Sequence, residues 1–129
     1  MTGKQTYWFE MAEYDLETAK VMLTGKRFLY VGFMCHQVVE KALKGYFSRI
    51  SEVTPPYTHN LTLLAKKSSL YDTLSNEQID ILDTLEPLNI EARYPTHKEK
   101  LLESLNEDKC KEILEGTENL FIWIKMKSS

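Results

Sequence analysis

The sequence predicts an all-α protein, an antiparallel up-and-down bundle of four long helices and one short helix. Apolar residues recur every three or four positions in almost every segment, which is typical of amphipathic helices. No segment shows the strict alternation of apolar and polar residues that indicates a strand. The connecting segments are short, which favours antiparallel neighbours. A chain of 129 residues can bury one core, so we expect a single domain over residues 1–129.

The first helix is predicted from Thr6 to about Thr24, and Gly25 favours its end. Asp15 lies by angle in the middle of its apolar face. A carboxylate in that position needs a cation or a hydrogen-bond donor to offset its desolvation. We therefore expect an ion pair that fixes this helix to a neighbour, with a ligand-binding or acid/base role as the alternative. The rest of the apolar face comprises Trp8, Ala12, Leu16, Ala19, Met22 and Leu23.

The second helix, Phe28 to Ile50, has the longest uninterrupted helical pattern. Its first two turns are apolar nearly all round, which indicates burial against the rest of the domain or a second chain. Further along, a polar arc of about 140° replaces part of that apolar surface. One interpretation is a solvated face with salt bridges, and the other is the framework of a site facing Asp15 and Arg93. The polar arc consists of His36, Gln37, Glu40, Lys41, Lys44 and Ser48.

Two adjacent prolines in SEVTPPYT end the second helix, because proline cannot continue an α-helix. A short third helix is expected next, capped by Thr58 or Asn60 and reaching about Tyr71. His59 lies at the start of this helix. A capping or packing role is common for a histidine in this position, and nucleotide binding is the alternative.

Ser75 is the expected N-cap of the fourth helix, and Gln78 completes a capping box. This helix is expected to reach Tyr94 and to kink at Pro87, which removes one backbone hydrogen bond. The segment from Pro95 to Asn106 is less regular, and we expect a loop with one turn of helix there.

The last helix is predicted from about Glu107 to Met126. Ile122 and Trp123 widen its apolar surface, much as Phe28–Phe33 do at the start of the second helix. An apolar excess on the surface is typical of a protein that binds a second chain.

Composition excludes several classes of protein. The net charge of −3 and the pI near 5.6 argue against a surface that binds nucleic acid throughout, although they allow a local basic patch. No apolar run is long enough to span a membrane, and the first residues lack a secretory pattern. Cys35 and Cys110 have no CxxC partner and are expected to be small buried hydrophobes, which fits a cytoplasmic location.

Common cofactor and metal motifs are absent from the sequence. It contains no GxGxxG, P-loop, HExxH, paired CxxC or EF-hand pattern. His36, His59 and His97 lie far apart and lack the spacing of four residues that places two ligands on one helix face. We therefore expect no cofactor and no metal.

Four blocks of the sequence carry a resemblance to a known family: Trp8, Ala12, Asp15, Leu16 and Ala19, then HQVVEKALKGYF, then PPYTHNL, then ARYP. In order and spacing they resemble the HEPN domain, over nearly the whole chain. The resemblance implies a bundle of four to five helices that commonly forms homodimers. Prokaryotic members often work with a small nucleotidyltransferase encoded next to them, as toxin and antitoxin, and many are ribonucleases that need no metal.

The resemblance also implies a catalytic pair, an arginine followed after four to six residues by a histidine. The nearest match is Arg93 with His97, which leaves three residues between them. His97 could transfer protons during attack by a 2′-hydroxyl, and Arg93 could stabilise charge on the phosphate. The alternative is that Arg93 pairs with a buried acid such as Asp15 or Glu40.

Three functional hypotheses follow. The first is a homodimeric module that associates with RNA or nucleotides and pairs with a minimal nucleotidyltransferase antitoxin. The second is a metal-independent endoribonuclease toxin acting through Arg93 and His97. The third is a small-molecule nucleotide binder that uses Lys41, Lys44 and His59. By resemblance to related pairs, Tyr94 is the tyrosine that a partner would modify. The residues expected to bind or to frame a site are Asp15, His36, Gln37, Glu40, Lys41, Lys44 and His59.

Overall fold

The structure is a computed structural model, and it describes residues 3–90 and 95–129. These residues form α-helices and 3₁₀ helices without any strand among them, which confirms the all-α class. Short 3₁₀ helices cover Tyr71–Thr73 and Glu86–Leu88. The α-helices are α1 (Gly3–Thr24), α2 (Phe28–Ile50), α3 (Leu61–Lys67), α4 (Asn76–Leu85), α5 (Pro95–Ser104) and α6 (Glu107–Lys127).

Helices α1 and α2 form an antiparallel hairpin with a tight turn between them. The turn places Lys26 at a positive φ of 58°, and the N–H of Arg27 donates back into the last turn of α1. Further from the turn, Phe9 packs against Gly45, where an added Cβ would lie 3.0 Å from Cε2 of the ring. The turn therefore sets the register in which side chains of α1 and α2 meet.

Helix α6 runs alongside α2 in the same direction. At its start, the Cys110 thiol lies 3.7 Å from the carbonyl oxygen of Phe28. At its end, Arg49 Nε donates to the carbonyl oxygen of Ser128 at 3.1 Å. Helices α1, α2 and α6 thus form the centre of the bundle, and α4 packs against both α6 and α2.

The core is built from the inner faces of the helices, and the first turns of α2 contribute to it as expected. Val31 is fully buried there, while Phe28 and Leu29 pack partly buried against the core. Tyr30 is the exception, at 50% exposed. Most of the apolar side chains of Phe28–Phe33 therefore pack against the core of this chain and are not left on its surface. Burying a large aliphatic side chain contributes about 1.5–3 kcal/mol. The largest fully buried apolar side chains are Leu43, Leu61, Leu64, Leu82, Leu85, Leu120, Ile124, Val31, Val38 and Val39.

The expected caps are present at two helix starts. Asn60 is the N-cap of α3, and its side chain accepts from the N–H of Leu63 at 2.9 Å. Ser75 and Gln78 form the predicted capping box at the start of α4. Helix α3 ends at Lys67, short of the expected Tyr71.

Helix lengths differ from the prediction in the second half of the chain. Helix α4 ends at Leu85 and continues only as the 3₁₀ helix that contains Pro87, because the proline ring excludes the α-helical hydrogen bond at that point. Its expected end, Tyr94, lies outside the described residues. Pro95–Ser104, expected as a loop with one helical turn, forms the full helix α5, since proline is favourable at a first helical position.

Candidate functional site

The polar arc of α2 faces inward. His36 is completely buried, and Glu40, Lys44 and Ser48 are each less than a tenth exposed. Gln37 is half-buried. The interpretation of this arc as a solvated face is therefore wrong, since solvated residues would not be covered in this way.

Glu40 is the centre of a buried polar cluster. Its Oε1 lies 2.9 Å from Nδ1 of His59, and its Oε2 accepts from the Lys44 ammonium at 3.1 Å. The imidazole of His36 approaches the same carboxylate, with Nδ1 at 3.8 Å from Oε1. One carboxylate thus contacts two side chains of α2 and the imidazole of His59, the residue before the N-cap of α3. A buried carboxylate that retains its charge requires this number of partners.

Asp15 has the partner that its position on α1 demands. Its Oδ2 lies 2.5 Å from the ammonium of Lys41, and the carboxylate side chain is only 7% exposed. Lys44, one turn further along α2, also lies 5.6 Å from the centre of the Trp8 ring. These contacts fix α1 to α2. The sequence predicted only one of these contacts. It identified Asp15 as needing a partner, but it gave no sign that the Trp8 ring contacts Lys44.

The register of the hairpin is the signal that would have found these partners. Trp8 and Lys44 are equidistant from Lys26 in the turn between α1 and α2, and Lys41 lies about one helical turn further from it than Asp15 does. Counting outward from a tight turn between two antiparallel helices pairs residues in this way.

The positive charges of Lys41 and Lys44 are engaged within the protein. Each ammonium has a carboxylate at hydrogen-bonding distance, from Asp15 and Glu40 respectively. A nucleotide phosphate would have to compete with these carboxylates for the same ammonium groups. The arrangement therefore favours a structural framework over the phosphate site of the third hypothesis.

His97 differs from the polar arc. It lies in the first turns of α5, which packs against α2. Its Nε2 is buried and has no hydrogen-bond partner among the described residues. An imidazole nitrogen without a partner can accept or donate a hydrogen bond, and leaving a buried one unpaired costs free energy. Arg93, the other residue expected to be catalytic, lies outside the described residues.

The alternative in which Arg93 pairs with Asp15 or Glu40 meets two acids that already have cationic partners. Asp15 binds Lys41, and Glu40 binds Lys44. Both acids therefore have cationic partners without an arginine.

The two thiols lie in the core, as their spacing predicted. Burial raises the pKa of the Cys35 thiol to about 12, and the nearby Thr117 hydroxyl opposes part of that rise. Burial likewise raises the pKa of Cys110 to about 11. Both thiols are thus poor nucleophiles at neutral pH.

Neither a metal centre nor a membrane span is found among the residues that the structure describes. Over residues 3–90 and 95–129, histidine, cysteine and acidic side chains do not gather in groups of three that could hold a metal ion. Within the same residues, every helix is too short or too polar to cross a membrane.

The fold is an all-helical bundle with a buried polar cluster around Glu40 on α2, and comparison with known proteins identifies the family to which it belongs. The profile of the HEPN domain family matches residues 5–127, and the chain belongs to this family. A comparison with curated proteins gives no match.

Two solved structures share the fold. TT1696 from Thermus thermophilus superposes with a TM-score of 0.82 at 18% identity, over 98% of this chain and 99% of that one. ST0689, described as an archaeal HEPN homologue, superposes with a TM-score of 0.68 at 21% identity, over 99% of this chain and 100% of that one. At these sequence identities, the similarity shows a shared fold and nothing further.

Proposed function

We propose that this HEPN protein is a homodimeric, RNA-associated module that pairs with a small nucleotidyltransferase in a toxin–antitoxin system of the cytoplasm. The observation that carries the proposal is the buried Nε2 of His97, which has no hydrogen-bond partner among the described residues. A phosphate oxygen or a ribose hydroxyl of RNA would supply that partner once the side chains that cover the nitrogen move aside.

The charges around His97 support an anionic ligand. Lys98 and Lys100 follow it on α5, and neither forms an ion pair with a described carboxylate. These lysines contrast with Lys41 and Lys44, whose ammonium groups are already occupied. Both ammonium groups can attract a phosphate backbone, and the exposed Glu99 between them in the sequence is the opposing charge.

RNA binding is tested with a fluorescent single-stranded RNA and the variant Lys98→Glu/Lys100→Glu. We expect affinity to fall by about tenfold or more at low salt, because two phosphate contacts are lost and replaced by repulsion. The control is Lys109→Glu/Lys111→Glu on α6, which makes the same charge change away from His97. If both variants lose RNA affinity equally, the effect is one of overall charge, and the site beside His97 is rejected.

The dimer and the partner have separate tests. Light scattering on the purified chain should give twice the chain mass at micromolar concentration, and a strict monomer would contradict the dimer. A nucleotidyltransferase encoded beside this chain should copurify with it and relieve any growth arrest that the chain causes.

His97 also favours a second candidate, metal-independent RNA cleavage. In that reaction, the 2′-oxygen attacks the adjacent phosphorus, a base takes the 2′-hydroxyl proton, and an acid protonates the departing 5′-oxygen. An imidazole nitrogen without a partner is suited to either proton transfer once it is uncovered, and Arg93 would neutralise charge on the phosphate. A homodimer would bring two such imidazoles to one cleft, one for each transfer.

Cleavage is measured in the presence of a chelator. We expect His97→Ala to lower the rate by about a hundredfold or more, which is the usual contribution of a proton-transfer group. The exposed Glu99→Ala on the same helix should cleave as the parent does. If His97→Ala cleaves at the parental rate, the catalytic role is rejected while the RNA-binding proposal retains its own test.

A further inference from the structure

The outer face of α1 carries a stripe of exposed apolar side chains, here called the α1 stripe. Tyr7, Tyr14 and Val21 are 58%, 69% and 64% exposed and lie seven residues apart. Met11 and Thr18 lie half-buried between them. Steps of four and three residues along one face are the spacing of a coiled-coil seam. The α1 stripe lies nearly opposite the face that packs in the core, so α1 has two separate apolar faces.

The shape of the α1 stripe fits a helix. From Tyr7 to Val21 it extends over about 21 Å, at 1.5 Å per residue, which is about four turns. Seven-residue spacing keeps the side chains almost in line, drifting by about 20° per heptad. Tyrosine and methionine are also enriched at protein interfaces. A straight apolar ridge of this length suits a second helix laid along it rather than a small ligand.

The border of the α1 stripe on the α6 side is acidic. Glu10 and Glu17 lie one turn from Tyr14 along this border, and Glu118 of α6 lies behind them. Lys20 binds Glu17 at 3.4 Å and Glu118 at 3.1 Å, and Lys125 of α6 lies 3.7 Å from Glu13 on the same side. Four carboxylates and two ammonium groups leave an excess of negative charge there.

The border on the α2 side carries little net charge. Its Asp15–Lys41 pair is neutral, and Lys4 adds one positive charge at the first turn. A partner that complements the α1 stripe would therefore place its basic residues along the α6 side alone.

A second copy of the chain fits this surface less well. An isologous contact uses the same patch on both subunits, so it would bring a second excess of carboxylates to the interface. Like charges brought together in this way oppose association.

We propose that the α1 stripe is the docking surface for an amphipathic helix of a partner protein, with an apolar seam at heptad spacing and basic residues along one flank. The surface is separate from His97, and the proposal stands whether or not the chain binds or cleaves RNA.

The test uses two designed helical peptides of three heptads, both with leucine in the seam. One carries lysine along one flank, and the other carries glutamate along that flank. We expect the lysine peptide to bind the full chain at least about tenfold more tightly than the glutamate peptide, as charge complementarity requires. Salt should reduce that difference.

The matching variants replace exposed side chains only. Tyr14→Lys/Val21→Lys should weaken binding of the lysine peptide by about tenfold or more, because it removes apolar contact and adds repulsion. The control, Val53→Lys/Tyr57→Lys, changes two side chains that are 68% and 100% exposed outside α1 and should bind as the parent does. Circular dichroism and thermal unfolding should show both variants folded.

Three results would overturn the proposal. The first is failure of the lysine peptide to bind, or equal binding of both peptides. The second is unchanged binding by Tyr14→Lys/Val21→Lys. The third is a homodimer that this variant dissociates and the control does not, since that would assign the α1 stripe to a second copy. Unchanged RNA binding in the variant would separate this surface from the proposed function.

Discussion

The Nδ1 of His59 lies 2.9 Å from Oε1 of Glu40, so the residue before the cap of α3 is held by the middle of α2. The imidazole side chain is 56% exposed and the carboxylate only 5%. An exposed ring therefore covers a buried charge. The contact fixes the end of the proline-containing connection between α2 and α3, which has no helix of its own.

Removing the imidazole should loosen that connection more than it destabilises the whole chain. A hydrogen bond to a charged group contributes about 1.5–3 kcal/mol, and its loss in His59→Ala should speed amide exchange at residues 51–60 by about tenfold or more. Glu40→Gln should do this and also lower the global free energy of unfolding, because it leaves the Lys44 ammonium buried without its carboxylate. Exchange followed by mass spectrometry, with urea unfolding, separates the two effects. Unchanged exchange in His59→Ala would show that the connection is held by other contacts.

The pair of Asp15 and Lys41 should show measurable coupling. Asp15→Asn and Lys41→Met should each lower the free energy of unfolding by about 3 kcal/mol, the lower end for a buried pair because Lys41 retains some solvent contact. The double variant should lose less than the sum, with a coupling energy of about 1–3 kcal/mol. Lys111→Met is the control, since its exposed pair with Glu107 should contribute under about 0.5 kcal/mol. If urea titrations show that the two losses of unfolding free energy are additive, the two side chains do not interact energetically.

The sequence predicted the helical class, the capping box of α4 and the need for a partner at Asp15, because each depends on local pattern or on one buried charge. It left the cap of α3 open between Thr58 and Asn60. It did not predict α5, since whether Pro95–Ser104 forms a helix depends on its packing against α2 and not on a strong local pattern. It also left open whether the polar arc of α2 is solvated. That question is decided by which elements cover Glu40, and those come from distant parts of the chain.

The site beyond α2 was predictable only through the family resemblance. The resemblance singled out His97, and the structure adds that its Nε2 is buried without a partner among the described residues. No local pattern could indicate this, because the burial of one nitrogen depends on packing between α5 and its neighbours.

Two glycines in helices should respond differently to alanine. At Gly45, an added Cβ would lie 3.0–3.2 Å from three atoms of the buried Phe9 ring, which has little room to move. Overpacking of this kind costs about 1–3 kcal/mol, against a gain in helix propensity of up to about 1 kcal/mol. At Gly116 the Cβ would clash with the flexible end of Ile81, which can rotate away. Thermal unfolding should therefore show Gly45→Ala less stable and Gly116→Ala nearly unchanged. Partial rescue of Gly45→Ala by Phe9→Leu would identify the ring as the cause, and equal effects at both glycines would contradict the argument.

The Cys35 thiol should make stability fall at alkaline pH. Its pKa is raised from an ordinary 9.0 to about 12 by burial, so the folded chain keeps a proton that the unfolded chain loses above pH 9. The stabilisation is complete below that pH and is lost as pH rises from 9 toward 12. Between pH 8 and 10, the parent should lose about 1.4 kcal/mol more of its unfolding free energy than Cys35→Ala, at about 1.36 kcal/mol for each unit of pKa difference. The variant matters because tyrosines and lysines titrate equally in both proteins, so that urea titrations of the two chains isolate the one thiol. Equal losses of unfolding free energy in the two proteins would mean that Cys35 reaches solvent in the folded state. The packing of α2 against α6 around Thr117 would then be looser than in the structure.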